Sequence, residues 1–156
     1  MTTAIIIGII INLVVIYLTI TGAIPFGLTF SGRKFVWSNA ILHIFEKPLL
    51  GFGIDGVLLT TFWTKWSGQG FNYAHNQILQ NLIDGGVILC ISFWLMMFIY
   101  ASYIDRLEVK KYRVLSNSIL SVLLFVMIFD STTVYCYMFI FLSILVKLPQ
   151  VVNERK

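Results

Sequence analysis

The uncharged run VILCISFWLMMFIYASYI occupies residues 87–104 and decides the fold class of this chain. Its length is close to the ~20 apolar residues that one helical crossing of a bilayer requires. Across the whole sequence, 58% of residues are hydrophobic and 12% are charged, and the mean hydropathy is +0.88. Soluble domains carry about 25% charged residues. The sequence therefore predicts an all-α integral membrane protein.

Three further apolar runs are candidate spans, at residues 4–24, 114–129 and 133–148. The last two are separated by a polar triplet that begins at Asp130. As one helix, 114–148 would be about 50 Å long at ~1.5 Å per residue, and it would hold Asp130 at mid-bilayer. A turn at Asp130 avoids both problems. We therefore predict four transmembrane helices in a single membrane domain, 1–156.

The basic residues predict the orientation of these spans. The segment 105–113 and the C-terminal tail are rich in them: Arg106, Lys110, Lys111, Arg113, Lys147, Arg155 and Lys156. Short segments with an excess of Lys and Arg are usually cytoplasmic. Both termini and the loop 105–113 are then cytoplasmic, and the large loop 25–85 is extracytoplasmic. The net charge of +4 indicates topology rather than nucleic-acid binding.

Two short amphipathic helices are predicted inside the extracytoplasmic loop. Ser31 can cap a helix that ends before Pro48, and the apolar residues of this segment recur at helical spacing. We expect this helix to lie on the membrane surface with Trp37 at the headgroup level. A second helix is expected from His75 to Asp84, ended by the pair Gly85-Gly86.

Two side chains of this loop are candidates for chemistry. Arg33 combines a fixed positive charge with the unpaired amide groups of a helix start, which suits a phosphate; the alternative is an arginine that reaches lipid headgroups. His75 can accept a proton near neutral pH; the alternative is a histidine that caps a helix. We expect His43, on the polar face of its helix, to be solvated. No pattern of metal ligands is present in the sequence, so we predict neither a metal nor a cofactor.

The segment 51–56 satisfies the pattern G-x-G-x-x-G. A dinucleotide site would need a strand before it, whereas a predicted helix and Pro48 precede it here. We therefore interpret Gly51 and Gly53 as glycines that allow a tight backbone path near a ligand or another helix.

Four motifs follow one another along the chain: Ser31-Gly32-Arg33, then Trp37, then PLLGFG at 48–53, then H-N-x-x-L-Q-x-L-x-x-G-G at 75–86. In this order they resemble the O-antigen ligase and Wzy-type polysaccharide polymerase superfamily, over about residues 29–88. The resemblance implies the C-terminal portion of a multi-span glycosyltransferase of the GT-C type.

This resemblance also implies an activity. The chain would join polyprenyl-diphosphate-linked oligosaccharide repeats into capsule, exopolysaccharide or O-antigen, as an inverting, metal-independent glycosyltransferase; a polymerase is favoured over a ligase, and the sequence leaves that choice open. Arg33 would hold the donor diphosphate and His75 would be the catalytic base. Asn76, Gly51 and Gly53 would complete the substrate-binding site, mainly by shaping it. The protein would lie in a bacterial inner or plasma membrane.

The expected partners are the lipid-linked glycan, the bilayer, and a missing N-terminal half or other polysaccharide-export membrane proteins. Members of the superfamily have many more than four spans, which leaves open whether this chain acts alone. The alternative is a truncated, non-catalytic membrane protein that binds lipid-linked glycan or a partner membrane protein. A transporter subunit is disfavoured, because the spans offer only Asn12 and scattered hydroxyl groups along a path.

Overall fold

The computed structural model describes residues 2–23, 32–59, 70, 71 and 73–132, and five positions beyond them: 140, 143, 144, 147 and 151. In these residues the regular elements are four α-helices: α1 Thr2–Thr21, α2 Arg33–Glu46, α3 Gln77–Asp105 and α4 Lys110–Phe129. An isolated antiparallel bridge pairs Leu59 with Phe71. The all-α prediction is confirmed.

Three of these helices, α1, α3 and α4, are long and apolar enough to cross a membrane. They coincide with the predicted spans 4–24, 87–104 and 114–129. The predicted fourth span, 133–148, lies mostly outside the described residues, and its four described positions are helical. The chain is therefore an integral membrane protein of helical type.

The core lies where the spans and α2 meet. The helices α1, α3 and α4 contact one another, and α2 packs on α1 and α3. Each helix contributes buried apolar side chains to this contact, among them Ile5 and Ile16, Val36 and Ala40, Met97 and Ala101, and Leu120 and Met127. Much of the remaining apolar surface of the spans is exposed, as expected where a helix meets lipid.

Two glycines divide α3 into two arms. Gly85 (φ −139°, ψ 17°) and Gly86 (φ 63°, ψ −159°) leave the helical conformation. The residues before them, 77–84, form a short arm, and residues 87–105 form a long arm. The short arm begins after Asn76, whose side chain accepts a hydrogen bond from the Leu79 amide at 3.1 Å. The predicted short helix and the glycine break after it are both present.

Two expectations about α2 change. The helix begins at Arg33, its N-cap residue is Gly32 with φ +90°, and no side chain caps it there; Ser31 lies outside the described residues. Trp37 is 1% exposed, and its Nε1 donates to the carbonyl oxygen of Ala74 at 2.8 Å. The headgroup position predicted for Trp37 is wrong, because helical periodicity identifies an apolar face without telling whether protein or lipid covers it.

Candidate functional site

Arg33, the first residue of α2, is bound to the end of α4. Its Nη2 donates to the carbonyl oxygen of Phe129, the last residue of that helix, at 2.8 Å. The last carbonyls of a helix lack partners within the helix, and a cation near them is favourable. Burial lowers the pKa of the Arg33 guanidinium, and the carboxylate of Asp130 raises it. A guanidinium remains charged at neutral pH, so a fixed cation lies at this helix end.

His75 occupies a strained position directly before the short arm. Its backbone is left-handed, with φ 51°. For a residue other than glycine, a sparsely populated conformation costs about 1–3 kcal/mol, and such residues cluster at functional sites. The imidazole is 25% exposed and lies against the Tyr73 ring, with the two ring centroids 4.1 Å apart. His75 is thus held by its surroundings while its ring remains accessible.

The carboxylate of Asp130 faces this imidazole. Its Oδ1 lies 3.8 Å from His75 Nδ1 and accepts a hydrogen bond from the Ser131 amide at 2.8 Å. The 3.8 Å separation allows charge interaction but is longer than a hydrogen bond. Burial lowers the pKa of His75, the Arg33 charge lowers it further, and Asp130 raises it; the net direction is down. At neutral pH the imidazole is therefore mostly neutral.

These three residues define the Arg33–His75–Asp130 cluster. Arg33 and His75 are the two residues that the sequence predicts for chemistry, and the structure brings both to the end of α4. Asp130 was interpreted only as a turn residue. The signal that it has a further role was a single carboxylate between two apolar runs, since ionisable groups in such positions are usually functional.

A buried polar network lies directly beneath the cluster and is centred on Asn76, which is fully buried. Its Nδ2 donates to Asn12 Oδ1 at 2.7 Å and to the carbonyl oxygen of Ile128 at 3.0 Å, while its Oδ1 caps the short arm at Leu79. Its backbone amide donates to Ser131 Oγ at 3.1 Å. Asn76 therefore ties α1, α3 and the end of α4 together, one residue from His75.

The glutamines of the short arm extend this network. Gln77 accepts a hydrogen bond from Thr132 Oγ1 at 2.9 Å and donates to Asn81 Oδ1 at 2.8 Å. Gln80 Oε1 accepts from the backbone amide of Ala74 at 2.7 Å. All five of these residues are buried. Together these hydrogen bonds fix the backbone on both sides of His75 and Asp130.

The segment 48–53 is hydrogen-bonded to the other end of the short arm. Three main-chain hydrogen bonds hold it: Phe52 N–H to Ile83 O at 2.7 Å, Gly53 N–H to Asp84 O at 2.8 Å, and Val87 N–H to Pro48 O at 2.9 Å. Gly51 and Gly86 both have positive φ, and a Cβ on either would collide with the backbone of the opposite segment. We call the contact between 48–53 and 83–87 the glycine clasp.

A family model described as O-antigen ligase matches residues 1–94 of this chain. The match covers more than half of the sequence. The chain belongs to the O-antigen ligase family. The matched residues include α1, both segments of the glycine clasp, Arg33 and His75, while Asp130 lies beyond them.

A relative has a name that agrees with this family. The chain is 30% identical, over 93 residues, to a Rickettsia conorii protein that carries the provisional name of a polysaccharide ligase. The aligned part is 54% of this chain and 22% of that protein. The chain thus spans less than a quarter of the length of the relative it matches. No solved structure matches it.

The other predicted site residues of this family member, Asn76, Gly51 and Gly53, lie outside the Arg33–His75–Asp130 cluster. Asn76 lies beneath the cluster, with its side-chain amide bonded to protein. Gly51 and Gly53 belong to the glycine clasp, at the opposite end of a short arm that is about 12 Å long at ~1.5 Å per residue. Their contacts are to backbone, and their roles toward substrate stay predictions. Among the described residues, no group of three or more His, Cys, Asp and Glu side chains could hold a metal ion.

Proposed function

We propose that this chain is part of a polymerase-type, inverting glycosyltransferase that joins polyprenyl-diphosphate-linked oligosaccharide repeats into capsule, exopolysaccharide or O-antigen. The observation that carries the proposal is the Arg33–His75–Asp130 cluster in a membrane chain of the O-antigen ligase family. A guanidinium suits the diphosphate of the donor. A neutral imidazole suits the hydroxyl group of the acceptor sugar.

The proposed step is a single displacement at the anomeric carbon of the donor sugar. The acceptor hydroxyl oxygen forms a bond to that carbon while the bond from the carbon to the phosphate oxygen breaks. The polyprenyl diphosphate leaves with the electron pair, and the hydroxyl proton passes to Nε2 of His75. Arg33 stabilises the negative charge that grows on the diphosphate. A base of this kind contributes about 10²–10⁴-fold to the rate.

Asp130 would position the base. A carboxylate near Nδ1 favours the tautomer that carries its proton there, which leaves Nε2 to accept the proton of the acceptor. It also stabilises the imidazolium that forms. The 3.8 Å separation between Nδ1 and Oδ1 would shorten to a hydrogen bond in the substrate complex, as catalytic contacts often do.

The other predicted site residues would shape the site. Asn76 holds the backbone next to His75 through Asn12 and Ile128, so we propose that it acts through the position of the base. Gly51 and Gly53 would act through the glycine clasp, which fixes the far end of the short arm.

The proposed arrangement in the membrane follows the basic residues. Arg106, just after α3, and Lys110 and Lys111, at the start of α4, are exposed, and they would lie in the cytoplasm with both termini. The loop 25–85, which contains Arg33 and His75, would be extracytoplasmic. We propose one membrane domain, 1–156, in the plasma membrane of a bacterium.

The test replaces His75 in the host that makes the polymer. His75→Ala should slow polymer extension by about 10²–10⁴-fold, because the base is lost. The matched control is His43→Ala, which removes the other histidine of the chain, at a position beside Glu46 on α2. Polymer length is measured on gels, and membrane levels are measured by immunoblot. Polymer of wild-type length in His75→Ala would refute the proposal.

A non-catalytic protein that binds lipid-linked glycan is the second candidate, because the Arg33 cation at the end of α4 suits a diphosphate whether or not His75 acts as a base. Purified chain in nanodiscs, with a polyprenyl-diphosphate-linked oligosaccharide as probe, separates the two. The binding protein would show no turnover, weaker binding in Arg33→Ala and unchanged binding in His75→Ala. The enzyme would elongate the probe, alone or with its membrane partners, and would lose that activity in His75→Ala.

A further inference from the structure

The glycine clasp presents an apolar surface that the proposed chemistry does not use. Leu49, Leu50 and Ile54 are 65%, 74% and 86% exposed. Two more large apolar side chains, Leu42 and Phe45, are exposed on the preceding helix α2 at a spacing of three residues, which places them on one helix face. Exposed apolar side chains that cluster along a segment mark an interaction surface.

The main-chain hydrogen bonds of the clasp show where this surface lies. Val87 N–H donates to Pro48 O at 2.9 Å, and Ile88 N–H reaches Leu49 O at 3.5 Å. Residues 87 and 88 are the first of the long arm, a candidate membrane span. The long arm exposes apolar side chains from this point onward, including Val87, Ile88, Ile91 and Leu95. The backbone of Pro48 and Leu49 is therefore attached to the first residues of this candidate span.

We propose that segment 48–54 is a membrane anchor, which inserts Leu49, Leu50 and Ile54 among the lipid acyl chains at the level of the interface. The apolar belt of the long arm continues onto this segment through its backbone hydrogen bonds, so one lipid environment covers both. Lys47 precedes the segment, with its Nζ 4.6 Å from the centroid of the Phe52 ring. A lysine at this place suits the phosphates of the lipid headgroups.

This anchor is distinct from glycosyl transfer and does not depend on it. It would hold one end of the short arm at the bilayer surface, while His75 lies at the other end. Segment 48–54 would then fix the distance between the short arm and the membrane surface.

A fluorescence experiment on the full chain tests the anchor. Cys90 and Cys136 are replaced by alanine, and an NBD fluorophore is attached to Leu50→Cys in nanodiscs of phosphatidylethanolamine and phosphatidylglycerol. We expect blue-shifted emission, with several-fold stronger quenching by lipids that carry a doxyl group near the headgroup end of the acyl chain. The matched control is Glu46→Cys, a polar and exposed position four residues earlier.

Each outcome decides the proposal. Quenching at position 50 that equals the quenching at position 46 would overturn it. Blue-shifted emission without lipid quenching would also overturn it, since a protein partner would then cover the segment. Ile54→Cys, at the other end of the segment, carries the same test if Leu50→Cys fails to elute as the wild-type chain does.

Discussion

The two ends of the short arm are held in different ways. At its start, Asn76 is bonded by its side chain to Asn12 and by its side chain and backbone to the end of α4. At its end, the glycine clasp holds residues 83–87 through main-chain hydrogen bonds to 48–53. The first end depends on the identity of polar side chains, and the second depends on the absence of a Cβ.

The two ends of the short arm also differ in the role that we propose for them: the start carries the candidate catalytic groups, and the end fixes the position of the arm. The Arg33–His75–Asp130 cluster lies at the end that is held by side chains. The end held by backbone has a different character: Lys47 and His43 lie against the Phe52 ring, and Leu49 and Leu50 are exposed apolar side chains that we propose face lipid. Substitutions at the clasp should therefore reduce folding, while substitutions at the start of the arm should reduce both folding and activity.

The largest effect is expected from Gly86→Ala. Its backbone, with φ 63° and ψ −159°, lies in a region that is essentially restricted to glycine. A Cβ there would also collide with the carbonyl group of Leu49. Strain of about 1–3 kcal/mol and overpacking of about 1–3 kcal/mol together predict a loss of about 2–6 kcal/mol. Thermal unfolding followed by size-exclusion chromatography in detergent measures it.

Gly53→Ala is the matched control for this clash. Gly53 has φ +87° in the same clasp, but nothing lies within 4 Å of a Cβ built there. Only the left-handed backbone is then penalised, by about 1–2 kcal/mol. Equal stability losses in the two variants would show that the clasp does not pack as tightly as its geometry indicates.

Asn76→Ala should have the next largest effect. It removes the N-cap, worth about 0.5–2 kcal/mol, and leaves buried partners in α1 and α4 unsatisfied, at about 1–3 kcal/mol. We expect a loss of about 1.5–5 kcal/mol in the free energy of unfolding, with lower activity because His75 is adjacent.

Asn76→Ser divides this loss between its two causes. A serine hydroxyl can still cap the Leu79 amide, yet it is too short to reach Asn12 and Ile128 as Asn76 does. Its stability should lie between wild type and Asn76→Ala. If Asn76→Ser is as stable as wild type, the connection to α1 and α4 contributes nothing.

Hydropathy and glycine placement were sufficient to predict much of the fold. The three described spans and the break at 85–86 were foreseen, because long apolar runs and paired glycines have local causes. The helix α4 begins at Lys110, four residues before the predicted span 114–129, since charged residues interrupt the apolar run yet remain good helix formers. The position of Trp37 was predicted wrongly because its hydrogen-bond partner, the carbonyl oxygen of Ala74, belongs to a distant segment of the chain.

Only those site residues were predictable from the sequence whose residue type alone indicates a chemical role. Arg33 and His75 stand out as a fixed cation and as a proton acceptor near neutral pH. Asp130 lies 55 positions from His75, and Asn12 lies 64 positions from Asn76. Such pairings depend on how helices pack, and no local pattern in a single sequence reports them.

The smallest effect, a shift in pKa, is the sharpest test of the cluster itself. The chain has two histidines, so in His43→Ala an NMR titration of ¹⁵N-labelled histidine reports His75 alone. We expect its pKa to lie below the ordinary ~6.5. Asp130→Asn removes a carboxylate that raises this pKa, so the pKa should fall further. Arg33→Gln removes a cation that lowers it, so the pKa should rise.

The same signs apply to activity. If His75 is the base, polymer extension should increase as pH rises through the His75 pKa, because only the neutral imidazole accepts a proton. The midpoint of that rise should move to lower pH in Asp130→Asn and to higher pH in Arg33→Gln. Shifts in the same direction in both variants would mean that the two charges do not flank one imidazole. A midpoint that moves in neither variant, while the NMR titration does move, would assign the proton transfer to a group other than His75.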